Sequence, residues 1–444
     1  MNAIILSIGD ELVLGQTIDT NSAWLSQQLA AAGIAVIAHV TVADDQPAIE
    51  RAIGRAALEC DLLLITGGLG PTPDDLTRQA LAQVMGAAVE EDAVWMKELH
   101  RFFEARGRAM PPINRIQAMI PRGARMLFNT AGTAAGIGAT LHPRNLIYAD
   151  GADAVRAGEL PAARKCEVFV MPGVPREMKA MFIRDVLPHA MQAAGGAAIL
   201  SRTLHTFGLG ESAVAEKLGD LMARDRNPSV GTTVSGGVVS LRINSRYPSE
   251  AQASKELQLT ESACRAALGD LIYGADEETL PIAVARLLNA DSIAARFSPA
   301  VATAESCTGG LVAKLLTDVA GSSRYYRQGW ITYQNEAKTN ELSVPPELIA
   351  AHGAVSEPVV RAMAQGAQSR SGAPYALAVS GIAGPTGGSA EKPVGTVWLA
   401  LAHPAGIDAR LFLFPGDREM IRDRAAKMAL TLLRFKLLAK PLPF

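Results

Sequence analysis

Residues 301–311 read Val-Ala-Thr-Ala-Glu-Ser-Cys-Thr-Gly-Gly-Leu. A short apolar stretch runs into small turn residues and then into a helical pattern. The segment therefore predicts a strand, a tight turn and a helix from Leu311 to about residue 319. In an α/β sheet, the first N–H groups of such a helix lack intrahelical partners and point outward. This stretch therefore indicates an α/β fold with a ligand site where the strand ends.

The same alternation of strand and helix patterns recurs along the 444 residues. This length predicts two or three domains. The patterns divide the chain into an α/β block of residues 1–190, a smaller α+β block of residues 196–275 and an α/β/α block of residues 280–444. Strands and helices alternate in the first block, which favours a parallel sheet covered on both faces. Within it, residues 141–165 are longer than a short hairpin requires.

Composition and charge narrow the class of protein. The hydrophobic share is 49%, the charged share is 19% and the net charge is −2. These values are typical of a globular enzyme without a general attraction for nucleic acid or anionic lipid, so neither partner is expected. The four cysteines are far apart, which indicates a reducing compartment without disulfides or a thiolate metal site. The sequence shows no signal-peptide pattern and no run long enough to span a bilayer, so a cytoplasmic location is expected.

The turn at residues 306–310 carries the elements of nucleophilic catalysis. Its main-chain amides are suited to an anion or to the oxyanion that forms when a hydroxyl attacks an amide carbonyl, and Ser306 has that hydroxyl. The alternative is that Ser306 or Thr308 only caps the helix. The base is also open between His352 and Lys338, since a lysine serves as a base only when it is neutral, and many lysines lie on solvated helix surfaces.

Two further glycine-rich turns follow predicted strands. Residues 380–388 come after the strand at 375–379 and allow a ligand to approach the backbone closely, although a structural loop has the same pattern. Residues 67–77 follow the strand at 61–66 and contain Asp74 and Asp75, which either cap a helix or recruit Mg²⁺ beside a phosphate. Asp10 ends the first strand and is expected to face the same cleft.

Five segments in the third block resemble the C-terminal domain of the CinA family in matching order: residues 304–310, 333–338, 352–356, 380–388 and 392–397. The resemblance implies nicotinamide mononucleotide (NMN) amidohydrolase activity without a metal or other cofactor. It further implies that Ser306 is the nucleophile, Lys338 the general base and Tyr333 a proton relay. The implied oxyanion and substrate contacts are Thr308, Gly309, Gly310, Gly381, Gly384 and Arg418. Cys307 is the rival nucleophile, with a side chain expected to point into the core.

The first block resembles the molybdopterin-binding fold, which the CinA family shares, at residues 9–12, 19–21, 66–77, 132–134 and 172–178. The resemblance implies ADP-ribose pyrophosphatase activity, with contacts from Gly67, Gly68 and Gly70 and a divalent cation such as Mg²⁺ held by Asp10, Asp74 and Asp75. The middle block resembles the KH-like domain of the same family. It lacks a basic aromatic surface and a clear G-x-x-G loop, so no RNA binding is expected.

The resemblance as a whole implies an NMN deamidase of pyridine-nucleotide recycling. NMN is then the expected small-molecule partner of the third block and ADP-ribose that of the first, and the family implies a homodimer. The alternative hypothesis is a non-enzymatic nucleotide-binding protein associated with DNA uptake. The near-zero net charge weighs against direct contact with DNA.

Overall fold

The computed structural model describes residues 1–148, 150–194, 198–294 and 300–444. They form two compact units: unit 1 is Met1–Leu200 with Ser245–Glu256, and unit 2 is Ser201–Asn244 with Leu257–Phe444. The predicted α/β fold class is confirmed. The predicted start of the middle block at residue 196 lies outside the described residues.

Up to Ala194, the described residues of unit 1 form eight strands and eight α-helices. The strands are β1 (Asn2–Ile8), β2 (Ala35–Val42), β3 (Leu62–Thr66), β4 (Val89–Glu91), β5 (Met119–Pro121), β6 (Arg125–Leu127), β7 (Gly136–Leu141) and β8 (Cys166–Met171). The helices are α1 (Asp10–Val13), α2 (Thr20–Ala31), α3 (Gln46–Glu59), α4 (Thr77–Met85), α5 (Ala93–Glu104), α6 (Gly151–Glu159), α7 (Pro175–Met181) and α8 (Leu187–Ala194).

The main sheet of unit 1 has the strand order β2-β1-β3-β8-β7-β6. The four strands that the sequence predicts, β2, β1, β3 and β8, are parallel as expected. The sheet departs from the expected parallel arrangement only at β7, which pairs antiparallel with both β8 and β6. The physical reason lies in residues 141–165, which join two adjacent antiparallel strands and carry α6 within the connection. Alternate residues of the central strands enter two separate apolar cores, such as Ile4 on one face and Ile5 on the other, as a sheet covered on both faces requires.

The remaining strands are β9 (Ala198–Phe207), β10 (Ser229–Ser235), β11 (Val238–Tyr247), β12 (Ile272–Ala275), β13 (Val301–Glu305), β14 (Tyr326–Ile331), β15 (Tyr375–Gly381), β16 (Thr396–His403) and β17 (Gly406–Leu413). The remaining helices are α9 (Glu211–Leu218), α10 (Glu250–Leu268), α11 (Leu280–Ala294), α12 (Leu311–Thr317), α13 (Asn335–Leu342), α14 (Pro346–His352), α15 (Glu357–Ser371) and α16 (Arg418–Leu437). The sequence patterns do not predict strands β10, β12, β14, β16 and β17 or helices α14, α15 and α16.

Two sheets follow from these strands. A four-stranded sheet has the order β10-β11-β9-β12, and a five-stranded sheet has the order β14-β13-β15-β16-β17. In the second sheet β14, β13 and β15 are parallel, whereas β16 and β17 run antiparallel to their neighbours. The carboxyl ends of the three parallel strands therefore meet at one edge, where α/β proteins bind their ligands.

The five-stranded sheet is covered on both faces. Val301, Leu377 and Leu399 pack with residues of α11, α12 and α16, whereas Ala302 and Ala378 pack on the opposite face with residues of α13 and α15. The alternation follows from the two-residue period of a strand. Among the described residues, no helix combines the length and the apolar character needed to cross a bilayer.

Candidate active site

The Ser306 turn, residues 306–310, connects β13 to α12 at the ligand-binding edge of the five-stranded sheet. Gly309 and Gly310 have φ values of 59° and 93°, which lie in the left-handed region that glycine adopts without strain. The turn packs onto the next strand through a hydrogen bond from the Ser306 N–H to the Val379 carbonyl at 2.9 Å. This hydrogen bond holds the backbone of Ser306 in place, and with it the position from which the hydroxyl projects.

The buried carboxylate of Glu305 anchors this turn to α12. Its Oε2 accepts from the N–H groups of Gly310 and Val312 at 3.0 Å each, and its Oε1 accepts from Ala313 at 2.8 Å. The N-cap position of α12 is Gly310, and no side chain caps the helix there. The alternative that Ser306 or Thr308 serves as the helix cap is therefore wrong, because Glu305 satisfies those amides instead.

Lys338 lies on α13 with its amine beside the Ser306 hydroxyl. The Lys338 Nζ is 3.3 Å from Ser306 Oγ, 2.9 Å from the Thr332 carbonyl and 3.3 Å from the Tyr333 carbonyl. The side chain is only 1% exposed. Because β14 lies next to β13, the segment after β14 brings both carbonyls and the start of α13 to the serine.

The environment of Lys338 favours its neutral form. Burial lowers the pKa of the Lys338 amine, against smaller opposing effects from Cys307 and Glu336. The three hydrogen-bond partners are uncharged. A neutral amine has two N–H groups and one lone pair, so it is able to donate to the two carbonyls while its lone pair accepts the Ser306 proton. This is the arrangement that a general base for Ser306 requires.

The rival nucleophile Cys307 and the rival base His352 do not form such a pair with the residues of this site. Cys307 is 4% exposed and packs in the core with Val312 and Val397, and burial raises the pKa of its thiol to about 12. It is therefore a protonated core residue, as expected. His352 is an exposed residue that ends α14, and its carbonyl accepts from Lys392. Lys338, and not His352, contacts Ser306.

The wall of the site contains Tyr333, Arg418 and the second glycine-rich turn. Arg418 donates from Nη2 to the Tyr333 hydroxyl oxygen at 2.7 Å and from Nη1 to the Gly384 carbonyl at 2.8 Å. Tyr333 is 50% exposed. Gly381 lies where a Cβ would be 2.7 Å from a methyl group of Val397, which explains the absence of a side chain. The role of Tyr333 as a proton relay remains a prediction, and its observed hydroxyl partner is Arg418.

Two of the three predicted oxyanion donors, Gly309 and Gly310, have main-chain N–H groups that are already hydrogen-bonded. The Gly309 N–H donates to the Ser306 carbonyl at 3.1 Å, and the Gly310 N–H is bound by Glu305, so neither is available to a substrate. Among the described residues, the N–H of Thr308 has no carbonyl or carboxylate acceptor, and the buried Thr308 hydroxyl is also without a partner. Thr308 is therefore the one of the three predicted donors whose amide is free.

The glycine-rich loop of unit 1 connects β3 to α4. A Cβ on Gly67 would lie 2.2 Å from the Ile8 carbonyl oxygen, so only glycine fits there. On Gly68, a Cβ would lie 2.0 Å from the Thr77 hydroxyl. The Gly70 N–H is already bound at 2.7 Å by Asp75 Oδ1, and Asp75 Oδ2 accepts from the Thr72 N–H at 2.8 Å. Asp75 therefore fastens the loop with both oxygens, and Gly70 has no free amide for a phosphate.

Three acidic residues of unit 1, Asp10, Glu11 and Asp74, lie near Asp44. Asp10 and Asp44 exchange hydrogen bonds, each N–H donating to the other carboxylate at 2.9 and 3.1 Å. Burial raises the pKa of Asp44, and the negative charges of Asp10, Glu11 and Asp74 add to this effect. Within the described part of the chain, no group of three or more His, Cys, Asp or Glu side chains has a metal-binding arrangement. The divalent cation expected at Asp10, Asp74 and Asp75 therefore stays a prediction, and Asp75 is already engaged by the loop amides of Gly70 and Thr72.

A cavity of about 130 Å³ lies in unit 1 where β1 and β3 end. Its lining includes Glu11, Asp19, Asn21, Thr66 and Gly173. The volume suits one phosphate or ribose group and not a whole dinucleotide. The lining includes parts of two segments that resemble the molybdopterin-binding fold, residues 19–21 and 172–178, whereas residues 67–70 do not line the cavity.

Comparison with known proteins places three family models on the chain. They are a probable molybdopterin binding domain at residues 4–200, the damage-inducible protein CinA KH domain at residues 201–274 and the CinA C-terminal domain at residues 289–437. Their order is the order predicted from the sequence.

Relatives match along the whole chain. A putative competence-damage inducible protein of Symbiobacterium thermophilum is 45% identical over 99% of both chains, and a CinA-like protein of Geobacter sulfurreducens is 40% identical over 99% of this chain and all of its own. A solved structure of a CinA superfamily protein from Klebsiella pneumoniae is 39% identical, covers 36% of this chain and 96% of its own, and has a TM-score of 0.34.

Proposed function

The chain belongs to the CinA family, and from this premise we propose that unit 2 is a nicotinamide mononucleotide deamidase. The reaction converts NMN and water into nicotinate mononucleotide and ammonia. The observation that carries the proposal is the buried Lys338 amine 3.3 Å from the Ser306 hydroxyl. A serine with an uncharged amine beside it is suited to acyl transfer from a carboxamide.

In the first step, Ser306 Oγ attacks the carboxamide carbon of NMN and Lys338 Nζ takes the hydroxyl proton. The negative charge that develops on the carbonyl oxygen is stabilised by the Thr308 N–H. When the intermediate collapses, the carbon–nitrogen bond breaks, and the Lys338 ammonium returns its proton to the leaving nitrogen, which departs as ammonia. The nicotinoyl group remains as an ester on Ser306.

In the second step, water attacks this ester and Lys338 takes the proton from the water. The bond to Ser306 Oγ breaks, the serine recovers its proton from Lys338, and nicotinate mononucleotide leaves. The carbonyls of Thr332 and Tyr333 hold the amine at the serine through both proton transfers. The fixed geometry removes the cost of orienting base and nucleophile for each turnover.

The wall of the site supplies candidate contacts for the rest of NMN. Arg418 is an exposed cation next to the Ser306 turn and carries the charge that the NMN phosphate needs. The backbone around Gly381 and Gly384 allows close approach of the ribose, and Tyr333 provides an aromatic surface beside Arg418. No metal takes part in this mechanism.

Ammonia release from NMN tests the proposal. Ser306→Ala and Lys338→Ala should each lower kcat/KM by roughly 10³-fold or more, since each removes one member of a unit that acts together. Lys314→Ala is the matched control, because Lys314 is an exposed lysine on α12 that pairs with Asp318. It should keep the wild-type rate. Substantial ammonia release by folded Ser306→Ala or Lys338→Ala would refute the proposed dyad.

A second candidate function belongs to unit 1. The cavity beside Asp19, Asn21 and Thr66 has room for one ribose or phosphate of a sugar nucleotide such as ADP-ribose, with the rest of the ligand outside it. The acidic group around Asp44 would need a divalent cation between its carboxylates and the ligand phosphates. Incubation of the full chain with ADP-ribose should then give AMP, and Asp74→Ala and a chelator should each suppress it. Absence of AMP in the presence of Mg²⁺ would exclude this activity.

A further inference from the structure

Arg422 holds the Ser306 turn from the side of α16. Its Nε donates to the Cys307 carbonyl at 3.1 Å and its Nη2 to the Thr308 carbonyl at 2.8 Å. A planar guanidinium presents its donors in a fixed fork, so one side chain fixes two consecutive carbonyl groups. Arg422 lies four residues after Arg418 on α16, and sequence patterns did not single it out.

This contact determines where the Thr308 N–H points. The Cys307 carbonyl and the Thr308 N–H belong to one peptide unit, which is trans, so the two bonds point in opposite directions. The carbonyl is turned toward Arg422. The N–H is therefore directed away from α16, which packs on one face of the sheet, while Lys338 meets Ser306 from the other face.

Most of the other main-chain N–H groups of the turn are already occupied. The N–H groups of Ser306, Gly309 and Leu311 donate to main-chain carbonyls, and the Gly310 N–H donates to Glu305. Arg422 takes the two carbonyls at 307 and 308. Within the described residues, no carbonyl or carboxylate accepts from the N–H groups of Cys307 and Thr308. The Cys307 N–H lies beside its own thiol, whereas the Thr308 N–H is left for a ligand.

We propose that Arg422 is a positioning residue that holds the Thr308 N–H toward the carbonyl oxygen of the group attacked by Ser306. The inference rests on the proposed function, because it requires Ser306 to be the nucleophile. Gly309 supports the arrangement, since a Cβ there would lie 3.3 Å from Arg422 Nη2. Without Arg422, the Cys307–Thr308 peptide that carries this N–H loses the hydrogen bond on its carbonyl. The next peptide is released at the same time, beside Gly309, which tolerates both signs of φ.

The first test is the steady-state kinetics of NMN deamidation by Arg422→Ala and Arg422→Lys. A misdirected oxyanion donor should lower kcat by about 100-fold and leave KM nearly unchanged. Lysine keeps the charge but replaces the two-pronged fork with one nitrogen, so Arg422→Lys should resemble Arg422→Ala. Free guanidinium at a non-denaturing concentration should restore part of the lost kcat of Arg422→Ala. The matched control is Arg424→Ala, whose arginine donates to the Pro415 carbonyl and should be dispensable for activity.

A second test does not depend on NMN. An alkyl fluorophosphonate reacts with an activated serine: the Ser306 Oγ–phosphorus bond forms, the phosphorus–fluorine bond breaks, fluoride leaves, and Lys338 accepts the hydroxyl proton. The phosphoryl oxygen gains charge in this reaction and needs the same N–H donor. Labelling of Ser306, followed by intact mass, should therefore be slower by about tenfold or more in Arg422→Ala and recover with guanidinium.

The two tests separate the two proposals. An unchanged labelling rate in folded Arg422→Ala, or an unchanged kcat, would overturn the positioning role. If the wild type releases no ammonia from NMN but its labelling still depends on Arg422, the proposed function fails and the positioning role stands. The inference would also be overturned if free guanidinium failed to restore the kcat of Arg422→Ala and Arg424→Ala lost as much kcat. Both arginines of α16 would then affect activity only by stabilising the fold.

Discussion

The carboxylate of Glu305 accepts three hydrogen bonds from the start of α12, and Glu305→Gln removes both its charge and one of its two oxygens. If the amide oxygen of glutamine takes the place of Oε2, the bonds from Gly310 and Val312 persist. The NH₂ group then faces the Ala313 N–H, donor against donor. The substitution therefore leaves one buried N–H without an acceptor and weakens two other hydrogen bonds.

The magnitude follows from those three bonds. One buried unpaired donor costs about 1–3 kcal/mol, and a hydrogen bond to a neutral acceptor is weaker than one to a carboxylate by about 0.5–1 kcal/mol. The sum is about 3 kcal/mol of lost unfolding free energy. In a unit of 150–250 residues, each kcal/mol lowers the melting temperature by about 2–4 °C, so the expected decrease is about 6–12 °C.

Differential scanning calorimetry of the full chain measures this decrease in the transition of unit 2. Glu357→Gln is the matched control, because Glu357 is an exposed acid in the first turn of α15 that pairs with Arg361 at 2.8 Å. Exposed pairs contribute less than about 1 kcal/mol, so the control should shift by only a few degrees at most. Equal shifts in the two variants, or no shift in Glu305→Gln, would refute the idea that Glu305 anchors the turn.

Three further predictions concern the rest of the site. Burial lowers the pKa of Lys338, so the folded state disfavours the charged form of its amine. The melting temperature of the wild type relative to Lys338→Met should therefore rise as the pH increases from 7 toward the ordinary lysine pKa of about 10.4. A difference in melting temperature that stays constant with pH would contradict the burial of this amine. Gly381→Ala should cost about 1–3 kcal/mol through contact with Val397, as measured by thermal unfolding. The control Gly231→Ala, where a Cβ meets nothing within 4 Å, should unfold close to the wild type. Arg418→Ala should raise the KM for NMN about tenfold with little change in kcat, as expected for a lost charge-assisted phosphate contact; an unchanged KM would remove Arg418 from the substrate site.

The strand, turn and helix at residues 301–311 were predictable because their signals are local. Apolar residues, then small residues, then a helical pattern determine each element within a few positions. The proximity of Lys338 to Ser306 was not decidable from spacing, since it depends on β14 pairing in parallel beside β13. That strand, Tyr-Arg-Gln-Gly-Trp-Ile, is half polar and shows no clear alternation, so only the tertiary structure reveals the pairing.

The sequence also left the occupancy of the turn amides undetermined. The glycines at 309 and 310 predicted free N–H groups, but the preceding Glu305 points into the same side of the sheet as α12 and takes the Gly310 amide. Arg422 reaches the turn from α16, more than a hundred residues away in sequence. Contacts of this kind depend on how helices pack on the sheet, and no local pattern encodes them.

The glycine-rich loop at residues 67–77 of unit 1 and the Ser306 turn of unit 2 both follow a buried strand, but their side chains suit different chemistry. In unit 1, Asp75 uses both carboxylate oxygens to fasten the loop, and the neighbouring acids repel one another around Asp44. Such a site attracts a cation but has no buried amine among the described residues that line its cavity. In unit 2, the Glu305 carboxylate binds main-chain N–H groups at the start of α12. The Ser306 hydroxyl is therefore not needed to cap the helix, and it contacts the Lys338 amine. Amide hydrolysis needs a group that takes a proton and returns it within one turnover. A buried lysine with uncharged partners has that capacity, which is why the proposed deamidation is assigned to unit 2 and not to unit 1.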